Sequence, residues 1–386
     1  MRIAFDIRKY DDFGIGTYIR NVMRGIPSYP DRFTWTVLNG PGTPPDGFDS
    51  PSDRLEFDVL RAHRRTPFQG RLTLRRPVDL FFAPHYVTPD PGPTRFLLTV
   101  HDLIHLDPPV LPGGIPAVGT RFDRLSETLK RCYHRLLART KLVSLIDTAE
   151  RVITVSQSTA DHLELLLPGT ASKVTVIPNC VDAVFFTQPS PDAHAGFRER
   201  HGAIDRPYFV YCGNDLYHKN LGYLLAVWKH IVSTHTSPPL LILAGSPRPH
   251  AILSLADQLG IAPHVRMASW MTMSDIHLFM TGSEGLIMPS LAEGFGLPVA
   301  EAMACGTPVA CSDIRPHREI TGGHALFFNP QDLESGKIAL TRFIDDETCR
   351  RSTVESARAT AQSYHPSLFI QRMTDLLNAL DEERSA

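Results

Sequence analysis

The feature that most limits how this chain can fold is a nearly uninterrupted alternation of short apolar runs with helix-patterned stretches. The runs RIAFDI, TWTVLN, VDLFFAP, FLLTVHD, RVITVS and KVTVIPN follow one another through the first half, and YFVYCGN, LLILAGS, GLIMPS, PVACSD and ALFFNP through the second. Short runs that are apolar throughout, rather than at every second position, read as strands covered on both faces, with the intervening helices as the cover. The pattern predicts α/β architecture with doubly wound parallel sheets.

A chain of 386 residues exceeds one ordinary core, so two domains of roughly 180 residues are expected. The boundary falls after VIPNCVD, where a strand ends in Pro178 and Asn179 and the polar stretch TQPSPDAHAG follows. The reading is a first Rossmann-like domain over 1–182, a second over 183–365 and a terminal helix over 366–386. Open α/β sheets bind ligands at the carboxyl ends of their strands. Two such sheets facing each other would make a deep cleft with motif loops on both walls.

With 39 Lys+Arg against 41 Asp+Glu, the charge is close to balanced and leaves no footprint for nucleic acid. The six cysteines form no C-x-x-C pair, so neither a zinc ribbon nor a disulfide scaffold is indicated, and a reducing compartment fits. The opening MRIAFDI lacks the features of a signal peptide. No apolar run approaches the ~18 residues of a membrane span. The expected location is the cytoplasm, with peripheral contact to the inner face of the cell membrane as an addition. Two basic stretches bear on that contact, RAHRRTPFQGRLTLRR and RFDRLSETLKRCYHRLLAR. They read first as a solvated loop and an amphipathic surface helix, and second as a face for anionic lipid headgroups or a pyrophosphate-linked acceptor.

The chemistry concentrates in SLAEGFGLPVAEAMACG. Glu293 and Glu301 stand eight positions apart around the turn Gly294-Phe295-Gly296. Pro298 suits the first position of a helix, which puts Glu301 near the end of its first turn. The same mouth would hold the free amides of Gly294 to Leu297. Carboxylates accept hydrogen bonds from vicinal hydroxyls, and amides at a helix start bind anionic or hydroxyl oxygens, a combination suited to a sugar and a ribose.

In YCGNDLYHKN a strand gives way to a helix, so the backbone from Gly213 and Asn214 to His218, together with Lys219, could neutralise a diphosphate. Read alone, Lys219 is also an ordinary helix-start lysine. Arg248, in AGSPRPH, offers a second charge. Gly14 and Gly16 stand at the front of the helix after the first strand, where glycine permits close approach to a phosphate. His101 ends the strand of FLLTVHDLIHL, either to hydrogen-bond a sugar or to be satisfied by neighbouring backbone. His101 and His105 lack a third ligand at motif spacing, so no metal site is expected.

The stretch PSLAEGFGLPVAEAMACGTPV resembles the E-x7-E signature of retaining glycosyltransferases of the GT-B fold, in particular family 4. The likeness continues through GIGTYIRNV, VHDLIHL, VITVSQSTADHL, VIPNCVD and YCGNDLYHKNLGYLL. It implies that Glu301 binds the ribose of a nucleotide sugar, while Glu293 and the Gly294 to Gly296 backbone hold the transferred sugar. The loop with Gly14 and Gly16 would face diphosphate and acceptor, and His101 would lie near the reaction centre. Where the family often carries Arg and Arg-Lys, this chain has Asn214 and His218, which leaves Lys219 as the chief phosphate cation of its loop. The implied catalytic set is His101, Lys219 and Glu293, with no cofactor and no metal, and the terminal helix would cross back onto the first domain. The form GN…HKNLGYLL looks like bacterial polysaccharide mannosyltransferases. It favours GDP-mannose as donor, with UDP-hexoses and deoxysugar donors next, and a saccharide or lipid-linked saccharide as acceptor. A retaining sugar phosphorylase on the same fold and a non-catalytic nucleotide-sugar-binding subunit are the alternatives.

Overall fold

The computed structural model describes residues 1–39, 55–59, 76–88, 90–92, 94–110, 137–201, 204, 206–245, 248–268 and 271–385. The first basic stretch, apart from Arg76, and the second as far as residue 136 lie outside the described residues. Among the described residues, no helix is long and apolar enough to cross a membrane. The described chain divides into two compact units. One takes its residues from Met1–Leu106, Thr128–Cys180 and Pro366–Ala386, the other from Asp107–Glu127 and Val181–His365.

The first unit contains β1 (Arg2–Asp6), α1 (Phe13–Gly25), β2 (Thr34–Asn39), β3 (Leu55–Val59), β4 (Leu80–Ala83), β5 (Arg95–Val100), α2 (137–148), β6 (Arg151–Thr154), α3 (Gln157–Leu166) and β7 (Val174–Val176). Its seven strands run parallel in the order β3-β2-β1-β4-β5-β6-β7. Successive residues of a strand point to opposite faces, and β1 divides its side chains accordingly. Ile3 and Phe5 join a cluster with Tyr18, Val22, Phe369 and Met373, so α1 and the helix Pro366–Ser385 cover that face. Ala4 joins Phe81, Phe96, Leu142 and Leu145 on the other, under α2. This two-sided cover is why the central strands read as unbroken apolar runs.

The second unit contains α4 (Pro191–His201), β8 (Tyr208–Cys212), α5 (Leu221–Thr234), β9 (Leu240–Ala244), α6 (Pro249–Gln258), β10 (Val265–Met267), α7 (Met273–Thr281), β11 (Gly285–Met288), α8 (Leu297–Cys305), β12 (Val309–Ser312), α9 (Arg315–Thr321), β13 (Leu326–Phe328), α10 (Leu333–Asp345), α11 (Glu347–Arg351) and α12 (Val354–Ala361). Six parallel strands stand in the order β10-β9-β8-β11-β12-β13. Every residue of β8, β9, β11 and β12 is buried.

Both sheets reverse their strand order once, between β1 and β4 in the first and between β8 and β11 in the second. At such a switch point the connections leave in opposite directions and open a crevice at the carboxyl ends of the two strands. The motif loops of the second unit start there, after Cys212 and after Met288. Two strands escaped the sequence reading, β3 and β10. Both are edge strands, paired on one side only.

Candidate active site

The loop after β8 begins at Gly213, whose N–H donates to Ala244 O at 2.9 Å. Gly245 follows β9 at φ +91, and a side chain there would start 3.1 Å from Gly213 O. The two strand ends therefore touch backbone to backbone. Tyr211 donates its hydroxyl proton to Asn214 O at 2.6 Å, and Asn214 Oδ1 accepts the Leu216 N–H at 3.2 Å. These bonds fix the turn that leads to Lys219.

Asn220, which the sequence reading did not single out, ties this loop down. It is the one described non-glycine residue with positive φ, at 59°, a conformation that asparagine tolerates better than most residues. Its Nδ2 donates to Pro289 O at 3.2 Å, just after β11, and to Pro330 O at 3.0 Å, just after β13. Leu291 N–H donates to His218 O at 2.7 Å, which joins the same two loops a second time. Asn220→Ala should therefore cost about 2–4 kcal/mol, because two buried carbonyls lose their donors and the backbone is strained. Denaturant unfolding measures this cost, and Asn220→Gly, which relieves only the strain, should recover part of it.

So held, Lys219 Nζ donates to both carboxylate oxygens of Glu293, at 2.7 and 2.9 Å. Ser290 Oγ adds a third hydrogen bond to Glu293 Oε1 at 2.6 Å. The pair is largely shielded from solvent, with the Lys219 and Glu293 side chains 12% and 8% exposed. Burial alone would push the Glu293 carboxyl up. Lys219 outweighs it, with help from His317 and Ser290, and holds the group below the usual carboxylate range. His317 is a second residue missed from the sequence. It is fully buried in α9, its Nδ1 sits 3.0 Å from Ser312 O, and its Nε2 has no hydrogen-bond partner.

Gly296 opens α8 in the left-handed region at φ +101, and a side chain on it would begin 3.1 Å from Ile320 Cδ1 and 3.3 Å from the His317 ring. Gly296→Ala should cost about 1–3 kcal/mol through strain at this turn, read as a lowered unfolding midpoint. Because Gly296 is the cap, the helix starts at Leu297 and Pro298 takes its second position. Glu301 is then the fifth residue, just past the first turn and not within it. The N–H groups of Phe295, Gly296 and Leu297 find no partner among the described residues. The Phe295 side chain is buried against Tyr364, ring centroids 5.2 Å apart, so only its backbone is offered to a ligand.

Glu301 contrasts with Glu293. It is 7% exposed, and its carboxylate has no hydrogen-bond partner among the described residues. Burial first, then the neighbouring Asp182 carboxylate, push its carboxyl up to about 8. Arg248, expected as a second phosphate cation, turns onto Asp215, with Nε 2.8 Å from Oδ2 and an amino nitrogen 3.2 Å from the backbone oxygen.

Gly14, Gly16 and His101 belong to the first unit. Gly14 and Gly16 are the second and fourth residues of α1, inside the helix and not in a loop before it. A side chain at Gly16 would stand 2.3 Å from Tyr10 O, so this glycine admits the chain's own β1–α1 loop. His101 is 8% exposed, with Nε2 2.8 Å from Pro84 O and its ring edge-on to Tyr18. Burial lowers its pKa to about 4, so it is neutral at pH 7.

A model of glycosyl transferases group 1 matches residues 197–360, and one of glycosyltransferase family 4 matches residues 14–185. Among curated proteins, O-antigen chain mannosyltransferase B of Escherichia coli is 24% identical over 56% of this chain and 57% of its own length. O-antigen chain mannosyltransferase RfbU of Salmonella typhimurium is 28% identical over 63% and 59%, and the D-inositol 3-phosphate glycosyltransferase of Xylanimonas cellulosilytica is 28% identical over 63% and 60%. The chain thus spans under two thirds of the length of these relatives. Among solved structures, sucrose-phosphate synthase from Thermosynechococcus elongatus superposes with a TM-score of 0.74 at 18% identity, over 99% of this chain and 100% of that one. Anabaena HepE in complex with UDP and glucose gives 0.70 at 16% identity, over 98% and 99%. The fold is therefore shared across large sequence distances. With one model matching within each half of the chain and the E-x7-E residues set at the switch point of the second sheet, the chain belongs to the group 1, family 4 glycosyltransferases of GT-B fold.

Proposed function

We propose that this protein transfers a hexose from a nucleoside-diphosphate sugar to a hydroxyl of a saccharide or lipid-linked saccharide acceptor, with retention of configuration, in polysaccharide or glycolipid assembly. The observation that carries the reading is the buried, unpartnered Glu301 carboxylate, which lies with the Lys219–Glu293 pair at one switch point. A ribose diol supplies the two O–H donors that Glu301 lacks. Lys219 and the Phe295 to Leu297 amides supply positive charge for a diphosphate without a metal. Glu293, held ionised by Lys219 and Ser290, accepts hydrogen bonds from the hydroxyls of the transferred sugar and so orients it. In the step itself the bond between the anomeric carbon and the phosphate oxygen breaks as the acceptor oxygen bonds to that carbon from the same face. The acceptor proton passes to the departing phosphate, so no nucleophilic carboxylate is required.

GDP-mannose is the favoured donor. Two relatives are named O-antigen mannosyltransferases. A third, 29% identical over 45% of this chain and 47% of its own length, is named as a GDP-mannose-dependent mannosyltransferase of Mycolicibacterium smegmatis. Action at the cytoplasmic face of the membrane fits a lipid-linked acceptor.

Titration calorimetry without added metal, against GDP, UDP, dTDP, ADP and their common sugars, tests the reading. One nucleotide should bind preferentially to the wild type, and Glu301→Ala should weaken it by about ten- to a hundredfold. Unchanged binding in a folded Glu301→Ala protein would remove Glu301 from the site, and no binding of any nucleotide to the wild type would overturn the donor assignment.

A further inference from the structure

His317 is fully buried in α9, and the donor chemistry described so far gives it no task. Its Nδ1 lies 3.0 Å from Ser312 O, an atom that can only accept, so the neutral ring carries its proton on Nδ1. Nε2 is then a bare lone pair with no hydrogen-bond partner among the described residues. A buried polar atom left unpaired is costly. An apolar side chain would fill the same space without that cost.

The ring lies against the turn that begins at Glu293. A side chain on Gly296 would start 3.3 Å from its Cδ2 and 3.5 Å from Nε2. Ser312, which anchors the ring, donates its hydroxyl proton to Met288 O at 3.3 Å, at the end of the strand that leads into that turn. Burial is the largest influence on the ring and holds its pKa below the ordinary histidine value. The charged groups that act on it are Glu293, which favours protonation, and Lys219, which opposes it. His317 is thus neutral at pH 7 while the Lys219–Glu293 pair is closed.

A diphosphate competes for the charge that closes this pair. Lys219 commits two of its three N–H groups to Glu293. Any shift toward phosphate leaves the buried carboxylate short of positive charge. Tyr211, which also feels Glu293, has no proton to offer, because its hydroxyl donates to Asn214 O at 2.6 Å. Lys219 and His317 are the two groups whose positive charge lowers the Glu293 pKa.

We propose that His317 is the reserve cation of the donor site: when a nucleoside diphosphate draws Lys219 away, Nε2 takes up one proton from solvent and keeps Glu293 ionised. The proposal rests on the glycosyl-transfer reading above and deepens it. In the free protein Lys219 balances Glu293. In the complex Lys219 balances phosphate and His317 balances Glu293, so each buried anion keeps a cation. His317 touches no substrate. It is a positioning residue that acts on the transferred sugar through Glu293.

Nitrogen-15 NMR of the histidine side chains reads the charge on this ring directly. The chain has seventeen histidines, so the His317 signals are identified as those lost in His317→Asn, where Nδ2–H can still donate to Ser312 O. In the ligand-free wild type the ring should be neutral at pH 7, with its proton on Nδ1. Saturation with whichever of GDP, UDP, dTDP and ADP binds should move its titration midpoint up by about one pH unit or more. Ligand-free Lys219→Met should show a similar rise. The double variant Lys219→Met with Glu293→Gln should show none, with or without nucleotide. An unmoved midpoint in the nucleotide-saturated wild type would overturn the proposal. So would an equal rise in the saturated double variant, since the diphosphate would then be charging the ring by itself. A wild type that binds no nucleotide would count against the donor assignment, and the ligand-free variants would still decide the role of His317. A rise in the single variant alone would support it as the second cation of Glu293, and a rise in both variants or in neither would overturn that role.

Discussion

Replacing Glu301 by glutamine is expected to stabilise the ligand-free protein at pH 9 while removing its hold on a ribose. The unfolded chain releases this proton near 4.5, and the folded protein releases it only near 8, because burial and then Asp182 oppose the charge. Between those values the folded state binds more protons than the unfolded one, so stability falls as pH rises. Below 4.5 both states are protonated and the difference vanishes; above 8 the whole penalty is present. At 1.36 kcal/mol per unit, the penalty is on the order of 5 kcal/mol. Glutamine carries no such term. Melting curves of the two proteins should coincide near pH 4.5 and diverge steadily, to a gap on the order of 10 °C at pH 9. Parallel curves across that range would mean that Glu301 is not desolvated. The same linkage reaches function: two ribose O–H donors favour the ionised carboxylate, so nucleotide affinity in the wild type should rise toward pH 8 and stay flat in Glu301→Gln.

This contrast between the glutamates was not readable from their spacing. The E-x7-E stretch placed Glu293 after a strand and Glu301 near the end of a helix's first turn; Glu293 follows β11, and Glu301 comes just past that turn, as the fifth residue of α8. That Glu293 is saturated by Lys219 and Ser290 while Glu301 is bare depends on a partner 74 residues away in the chain, which no local pattern encodes. The central strands were legible because burial on both faces leaves continuous apolar runs. The edge strands β3 and β10 were not, since LEFDV and VRM mix charged with apolar residues. Asn220 and His317 were missed for a related reason. An asparagine before a helix and a histidine inside one each have common local explanations, and only the tertiary structure brings their side chains to Pro289, Pro330 and the Gly296 turn. Arg248 shows a related limit: the sequence placed a cation beside the loop after β8, and only the structure shows that Asp215 of that loop pairs with it.

Lys219→Met alone should destabilise the protein by about 3–5 kcal/mol, because it leaves the Glu293 carboxylate buried without its counter-charge. The double variant Lys219→Met with Glu293→Gln should recover most of that loss, since a neutral pair of similar volume carries no uncompensated charge. The single variant should also change its response to pH. With Lys219 gone, burial, the largest influence on the Glu293 carboxyl, is opposed only by His317 and Ser290, its pKa moves up, and stability at higher pH is reduced relative to the wild type. Turnover should follow a different order. If Lys219 stabilises charge developing on a leaving diphosphate, both variants lose it and both should fall by about a hundredfold or more, the stable double variant included. Stability restored with activity still absent separates the two duties of one lysine. Activity restored along with stability would mean that Lys219 only neutralises Glu293, and the amides at the start of α8 would then carry the diphosphate. A double variant as unstable as the single one would mean that the buried pair is not what holds the two loops together, leaving that task to Asn220 and the Leu291–His218 backbone bond.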